Sequence, residues 1–339
     1  MNINEGFGID EIEKYLSLPD YQRTSANYRE SLLNPESTFT KDESERLIEI
    51  SQLDQNGYST FAVNKLLIDL SWASSYLEGN TYTQLETKTL IEYGEKILGK
   101  PDEDAIMILN HKRAIEHSLA HQELTSDNIL SIHRLLAIAD FKEQSKHFLP
   151  QDKCGVIRSY TNDGLYIGGS TYIPPQAEER GIKYIPEQFN RIIDASTSIA
   201  DPINRSFYLF TRIPYLQPFY DANKRTSRIA CNIPLFSCNL APLSFVDFQK
   251  HRYMGGLIAF YELGDERLLK SAYVEAYISS TFRFKNFGEH NKMSLSVERG
   301  KHIKLAVDYV LNGTDENNLI WKMQSRSKSG VTGGSNSSM

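Results

Sequence analysis

The sequence predicts a mainly α-helical protein with one β-hairpin, and three observations support this. Apolar residues recur at spacings of three and four along many segments, which is the period of an amphipathic helix. Short strand-like stretches on either side of Asn162-Asp163-Gly164 are typical of two strands joined by a tight turn. The chain has 339 residues, 40% of them apolar, so it is long enough to bury a sizeable core.

The helices are predicted from these spacings together with their start and stop signals. The strongest apolar stripe runs from Val63 to Leu77, and Gly79 behind it is a residue typical of helix C-termini. Asp201-Pro202 has the N-cap and first-turn proline of another helix, which is expected to end before Pro214. The predicted helical segments are residues 9–16, 42–55, 63–77, 83–98, 103–121, 126–139, 182–199, 202–212, 249–261 and 266–282, with a further helix after Ala222.

Three units follow from this order of elements. Residues 1–55 are predicted to be an N-terminal helical extension. Residues 56–290 are predicted to be the main domain, including a helix at about 58–80 and the hairpin at about 153–175. Residues 291–339 are predicted to contain a C-terminal helix and then a disordered tail, because the last stretch is rich in serine and glycine.

Composition excludes several functional classes. The formal net charge of −6 argues against broad nucleic-acid or membrane-surface binding, and no apolar run approaches the ~20 residues that span a bilayer. The polar N-terminus does not resemble a signal peptide, so we expect a cytoplasmic protein with reduced thiols. The three cysteines lack zinc-type spacing, and three histidines on one predicted helix are expected to form a solvated face; these residues are Cys154, Cys231, Cys238, His111, His117 and His121.

The central segment from Gln217 to Arg228 (QPFYDANKRTSR) has the form of a phosphate-binding loop that opens a helix. If the helix begins near Ala222, Arg225 and Arg228 lie about one turn apart on the same face, beside the positive end of the helix. Asp221 is suited to a Mg²⁺ ion that bridges phosphate oxygens. The segment therefore indicates a site for Mg²⁺ with a di- or triphosphate. The alternative is a solvated basic helix face with a capping aspartate.

This segment resembles the signature of the Fic family, His-Pro-Phe-x-Asp/Glu-Gly-Asn-Gly/Lys-Arg-x-x-Arg. The matching positions are Pro218, Phe219, Asp221, Asn223, Lys224, Arg225 and Arg228. The stretch from Ser74 through Glu78 and Gly79 to Asn80 is similar to the inhibitory motif of that family, Ser/Thr-x-x-x-Glu-Gly/Asn. The hairpin with Ile167-Gly168-Gly169 resembles the family's target-docking flap, and Leu124-Thr125 with Leu130 and His133 resembles the core helix before it. The resemblance covers residues 60–282.

The resemblance implies a Fic-fold helical core and a protein adenylyltransferase, which transfers AMP from ATP to a Ser, Thr or Tyr hydroxyl of a protein, and a homodimer. It implies that Phe219 packs into the core and that Asp221 holds Mg²⁺. It also implies nucleotide-binding residues Ala222, Asn223, Lys224, Arg225, Arg228 and Tyr253, with Asn223 and Arg225 on the α- and β-phosphates and Tyr253 near the adenine. The implied inhibitory residues are Ser74, Glu78 and Gly79, and the implied flap residues are Tyr166, Ile167, Gly168 and Gly169. Glu78 would pair with Arg228 in place of a γ-phosphate.

Two positions depart from the family pattern. The histidine that removes a proton from the attacking hydroxyl is Gln217, and the first glycine is Ala222. A carboxamide has no usable pKa near neutrality, and losing a general base typically costs ~100- to 10,000-fold in rate. The stretch from Asp221 to Thr226 also resembles the related Doc branch, whose members phosphorylate proteins, whereas Arg228 and the Glu78 motif favour Fic. A glutamine introduced by engineering, through one nucleotide change, is a further alternative.

Three hypotheses follow. The first is an Mg²⁺–ATP-binding Fic protein, held off by Glu78 and weak or inactive because Gln217 cannot act as a base. The second is an active transferase that works without a base, uses another phosphate-containing donor, or performs Doc-like phosphotransfer. The third is a non-catalytic module that captures a partner segment at the flap by strand addition.

Overall fold

The computed structural model describes residues 8–55, 57–139, 147–159, 165–285 and 295–314, and it confirms a mainly α-helical fold. The helices are α1 Ile9–Ser17, α2 Lys41–Ser51, α3 Thr60–Leu77, α4 Gln84–Tyr93, α5 Asp102–Ala120, α6 Ser126–Ala137, α7 Ala177–Arg180, α8 Tyr184–Ser198, α9 Pro202–Leu216, α10 Asn223–Ala230, α11 Ile233–Ser237, α12 Lys250–Leu263, α13 Arg267–Lys285 and α14 Leu295–Asn312.

Helix α9 is the central helix of the core. All of its residues are buried except Pro202 and Arg205, and it packs against α8, α10 and α11. Asp201 caps its N-terminus as predicted, with its carboxylate accepting from the amide of Asn204 at 2.8 Å. The predicted end before Pro214 is wrong, because α9 continues through this proline in its last turn to Leu216. A proline there removes only one backbone donor near the end of the helix.

The remaining helices surround α9 and the short helix after it. Helix α3 packs along α5, α5 packs along α6, and α6 packs against α10. Helix α4 ends at Tyr93 instead of the predicted Leu98, because Gly94 adopts the left-handed conformation with φ 73° and terminates it. Helices α12 and α13 pack together, and α14 lies against α13 and α2.

The strand pairing in the described residues differs from the predicted hairpin. The strands are β1, Ala26–Asn27, and β2, Tyr172–Ile173, and they pair in parallel. Residues 155–158 and 165–167, predicted as the two hairpin strands, are not in strands, and the predicted turn at 162–164 lies outside the described residues. Backbone hydrogen bonds join the two strands: the amide of Ala26 donates to the carbonyl of Thr171 at 3.3 Å, and the amide of Tyr28 donates to the carbonyl of Ile173 at 3.1 Å.

Two further expectations concern the ends of the chain and the membrane. The predicted disordered tail, the serine- and glycine-rich stretch at 325–339, lies outside the described residues. In the part of the chain that the structure describes, no helix combines the length and apolar character needed to cross a membrane.

Candidate functional site

The loop between α9 and α10 brings the predicted phosphate-binding residues together. Its first and last residues, Gln217 and Ala222, both adopt the left-handed conformation, with φ of 51° and 57°. Asn223 closes the loop: its Oδ1 accepts from the amide of Phe219 at 2.9 Å, and its Nδ2 donates to the carbonyl of Phe219 at 3.0 Å. Ala222 has a Cβ where the Fic pattern has glycine, and the left-handed conformation costs an alanine roughly 1–2 kcal/mol.

The side chain of Gln217 is bound within the loop itself. Its Nε2 donates to the carbonyl of Pro214 at 2.7 Å, and its Oε1 accepts from Nδ2 of Asn223 at 2.8 Å. The residue is 9% exposed. From the opposite side, Nε of Arg158 donates to the Gln217 carbonyl at 2.5 Å. The carboxamide therefore links Pro214 in α9 to Asn223 in α10, and these two hydrogen bonds stabilise the loop between the helices.

The buried His133 contacts two residues of the loop, Phe219 and Asp221. The ring of Phe219 stacks on His133 at 3.8 Å between ring centroids, with 7° between the planes. The amide of Gly155 donates to Nδ1 of His133 at 2.9 Å, so the ring proton lies on Nε2 and is donated to the carbonyl of Asp221 at 3.2 Å. Burial lowers the pKa of His133 to about 3, so the ring is neutral.

Arg225 and Asp221 pair with each other in this conformation. Nη2 of Arg225 lies 2.7 Å from Oδ2 of Asp221 and also donates to the carbonyl of His147 at 2.8 Å. Arg225 is 3% exposed, whereas 45% of the Asp221 side chain is exposed. No cluster of three or more metal-binding side chains occurs among the described residues. One accessible carboxylate fits Mg²⁺ only in company with phosphate oxygens, which is how this ion binds beside nucleotides.

Arg228 is fully buried and is held by four hydrogen bonds. Its Nη2 lies 2.6 Å from Oε1 of Glu78 and donates to the carbonyl of Ser74 at 3.1 Å. Its Nε donates to the Ser74 hydroxyl at 2.9 Å, and its Nη1 donates to the Tyr253 hydroxyl at 3.2 Å. Glu78 is the C-cap residue of α3, and 20% of its side chain is exposed. The end of α3 therefore covers Arg228, the last arginine of the segment from Gln217 to Arg228.

The charges around Glu78 keep its carboxylate ionised. Burial by itself would raise the pKa of Glu78, but the charges of Arg228, Lys224 and Arg225 outweigh it and hold the pKa at about 2. The carboxylate is therefore ionised across the neutral range. Its contact with Arg228 does not depend on pH near physiological values.

His111 is a site residue that the sequence reasoning missed, and the expectation that it is solvated was wrong. Its Nε2 lies 2.8 Å from the hydroxyl of Ser74, and its Nδ1 lies 2.8 Å from the carbonyl of Met107. Because the Met107 carbonyl can only accept, the ring proton lies on Nδ1, and Nε2 accepts from the Ser74 hydroxyl. The available signal was its spacing from Ile108 and Ile115, three and four residues away on the same buried face of α5.

The two buried histidines predict a stability that falls as the pH falls. Burial lowers the pKa of His111 to about 3, which its hydrogen bond to Met107 only partly offsets, and His133 behaves alike. Below about pH 6.5 the unfolded chain takes up protons that the folded chain refuses, so stability present above pH 6.5 is lost on acidification. Each histidine should contribute roughly 1.4 kcal/mol per pH unit in this range.

Urea unfolding at pH 7, 6 and 5 checks this expectation. His111→Gln should lower stability at pH 7 and make its pH dependence shallower by about one histidine's share. The exposed His121 offers a matched control, since His121→Gln should change neither quantity. A pH dependence that is unchanged in His111→Gln would contradict the buried neutral histidine.

The remaining predicted site residues differ in exposure: Tyr253 is buried, whereas Tyr166 of the predicted flap is exposed. Tyr253 is 1% exposed, and its ring stacks on Phe210 at 5.6 Å between centroids. Its hydroxyl contacts Arg228, and its buried ring has no exposed face on which an adenine could stack. Tyr166 is 78% exposed, away from the buried centre. The other flap residues follow Tyr166 along the chain, and Gly169 has φ of 75°, a conformation that favours glycine.

Comparison with known proteins identifies the family of this loop. A model of the Fic/DOC family matches residues 123–235. The chain is 28% identical over 178 residues to protein adenylyltransferase fic-1 of Caenorhabditis elegans, covering 49% of this chain and 31% of that protein. It is 26% identical over 183 residues to protein adenylyltransferase Fic of Drosophila persimilis, covering 52% and 33%. The chain thus spans about a third of the length of these relatives.

Solved structures show the same fold. A Fic family protein from Desulfovibrio desulfuricans G20 superposes with a TM-score of 0.58 at 17% identity, covering 84% of this chain and 86% of that one. A Fic domain containing signaling protein from Bacteroides thetaiotaomicron gives a TM-score of 0.54 at 19% identity, covering 75% and 99%. Within this Fic fold, residues 123–235, which include the loop from Gln217 to Arg228, form a domain of the Fic/DOC family.

Proposed function

We propose that this protein binds Mg²⁺–ATP at the loop between α9 and α10 and is a protein adenylyltransferase by descent, held inactive by Glu78. One observation carries the proposal. The Glu78 carboxylate lies 2.6 Å from the guanidinium of the fully buried Arg228, at the edge of a loop with the Fic signature. A carboxylate in that position takes the place of a phosphate, because guanidinium binds both groups in the same bidentate way.

The residues around the loop fit a triphosphate in three places. The amides at the start of α10, near Ala222 and Lys224, form the positive end of a helix and suit the α- and β-phosphates. Arg225 would move from Asp221 to the β-phosphate when Asp221 takes part in holding Mg²⁺. When bound, the metal neutralises phosphate charge and orients the leaving group. Arg228 would bind the γ-phosphate once Glu78 has left.

The proposal extends to partners through the family resemblance. The acceptor would be a hydroxyl on a protein docked at Tyr166–Gly169, and the protein would act as a cytoplasmic homodimer. The relatives named adenylyltransferases support the AMP-transfer reaction. Catalysis by this chain would be weak or absent, since both ends of the Gln217 carboxamide are bound within the loop.

Calorimetric titration with ATP and Mg²⁺ tests the nucleotide site. In a Glu78→Gly variant, the additional change Arg225→Ala is expected to weaken binding at least ~10-fold, because one charge-assisted bond to phosphate is lost. Arg252→Ala is the matched control. This arginine pairs with Glu275 between α12 and α13 and should leave the affinity unchanged. If neither the unmodified protein nor Glu78→Gly binds ATP, the proposed nucleotide site is wrong.

A further inference from the structure

Arg23, in the predicted N-terminal extension, forms a buried ion pair with α12 and contacts the C-terminal end of the predicted flap. Nη1 of Arg23 lies 3.0 Å from Oε1 of Glu262 on α12, and their side chains are 5% and 0% exposed. Nη2 of Arg23 also donates to the carbonyl of Gly169 at 2.6 Å. The same Glu262 oxygen accepts from the hydroxyl of Ser170 at 2.7 Å and from the amide of Thr171 at 2.9 Å. One buried carboxylate thus joins three separate parts of the chain.

The other carboxylate oxygen of Glu262 contacts a fourth part of the chain, helix α1. Oε2 accepts from the hydroxyl of Tyr15 in α1 at 2.8 Å. A buried carboxylate is tolerated when a cation and several donors satisfy it, and removing the cation alone leaves a costly unpaired charge. The pair therefore makes the position of residues 169–171 dependent on Arg23.

A stack of tyrosines extends this contact to the end of α9. The ring of Tyr28 stacks on Tyr215 with centroids 5.4 Å apart, and Tyr215 stacks on Tyr172 of β2 at 4.8 Å. The amide of Arg29 donates to the Tyr215 hydroxyl at 2.7 Å, and the Tyr172 hydroxyl donates to the Tyr215 carbonyl at 2.7 Å. Tyr215 stands two residues before Gln217, in the last turn of α9. Residues 23–29 thus contact the helix end that carries the loop.

We propose that residues 23–29, here called the N-terminal arm, position both residues 169–173, at the C-terminal end of the predicted flap, and the end of α9 that leads to Gln217. Arg23 and Glu262 are positioning residues in this arrangement. The arm lies outside residues 123–235, so the proposed site would depend on residues beyond the segment that matches the Fic/DOC family. The functional part of this inference rests on the proposed nucleotide site, whereas the positioning itself does not.

Hydrogen–deuterium exchange of the full chain measures the positioning directly. In Arg23→Met, amides in residues 169–173 and 213–217 are expected to exchange at least ~10-fold faster, whereas α5 keeps its exchange rate. The double variant Arg23→Met/Glu262→Gln should recover part of this protection, because no unpaired charge remains buried. Arg252→Met is the control and should leave both segments unchanged. Arg252 lies on α12, the helix that carries Glu262, and forms a more exposed pair with Glu275 of α13.

Other outcomes overturn the inference. Equal acceleration in α5 would mean that the pair only stabilises the whole fold, and unchanged exchange at 213–217 would mean that the arm does not reach the loop. If Arg23→Met does not fold, Arg23→Lys keeps the charge but loses the two-pronged contact, and it should loosen residues 169–173 alone. Unaltered exchange there would equally refute the arm's role.

Nucleotide binding adds a separate readout. In the Glu78→Gly variant, the further change Arg23→Met should weaken Mg²⁺–ATP binding at least ~5-fold, while Arg252→Met should not. An unchanged affinity would show that the arm does not act on the nucleotide site. Failure of Glu78→Gly itself to bind ATP would refute the proposed function, and the exchange experiment would still decide whether the arm positions the loop.

Discussion

Replacing Glu78 by glutamine is expected to destabilise the protein strongly in the absence of nucleotide and to make ATP strongly stabilising. Arg228 has no exposed surface, and without Glu78 its charge is buried with only neutral partners, Ser74 and Tyr253. Breaking a buried pair on one side typically costs about 3–5 kcal/mol. A γ-phosphate would replace the lost carboxylate. At a concentration 100 times its Kd, ATP would return about 2.7 kcal/mol.

Thermal unfolding with and without Mg²⁺–ATP measures both effects in one experiment. The unmodified protein should show a much smaller ATP-dependent shift of Tm than Glu78→Gln. Glu45→Gln provides the control, because Glu45 pairs with Lys41 at the surface, and such exposed pairs contribute at most ~1 kcal/mol. If ATP shifted the Tm of the unmodified protein and of Glu78→Gln by the same amount, competition between Glu78 and phosphate would be contradicted.

Replacing Gln217 by histidine is expected to raise AMP transfer ~100- to 10,000-fold, the usual contribution of a general base. The comparison is made between Glu78→Gln and Glu78→Gln/Gln217→His, with label from [α-³²P]ATP on protein in lysate. The position accepts the change, because histidine is among the residues that tolerate the left-handed conformation seen at φ 51°. One ring nitrogen can donate to the Pro214 carbonyl, and the lone pair of the other can then act as the base, since Nδ2 of Asn223 keeps its bond to the Phe219 carbonyl.

The pH profile separates a base from a general structural effect. Labelling by the histidine variant should rise with pH through the ordinary histidine pKa near 6.5, as a base loses its proton. Gln217→Asn, which keeps a carboxamide but shortens it, should give no gain. If the protein with Gln217 labels as fast as the histidine variant, transfer proceeds without a base. Absence of labelling in every variant would favour a non-catalytic nucleotide-binding role.

The sequence predicted the parts of this site that depend on local pattern or on a recognisable motif. The N-cap at Asp201 and the helix beginning after Ala222 are local features, and the structure shows both. The contact between Glu78 and Arg228 joins residues 150 positions apart and was inferred only because both belong to a known motif. Their roles in nucleotide binding and inhibition stay predictions.

Features built from distant residues without a motif were missed. His111 was assigned to a solvated face because three histidines on one helix suggested polarity, although Ile108 and Ile115 place it on the buried side. The pairing of β1 with β2 and the contact between Arg23 and Glu262, 239 positions apart, have no local signature. Proline at 214 was read as a helix stop, whereas burial of α9 on every side keeps the last turn helical.

The position of Glu78 at the end of α3 sets its effective concentration at Arg228. Because the carboxylate and Arg228 belong to one chain, the carboxylate would compete with a γ-phosphate at the proposed site at an effective concentration that is set by geometry and not by the amount of protein. Short intramolecular links give effective concentrations of about millimolar, and packing of α3 along α5 restricts Glu78 further. Dilution would therefore not relieve this competition, and the end of α3 would have to move away from Arg228 to open the proposed site.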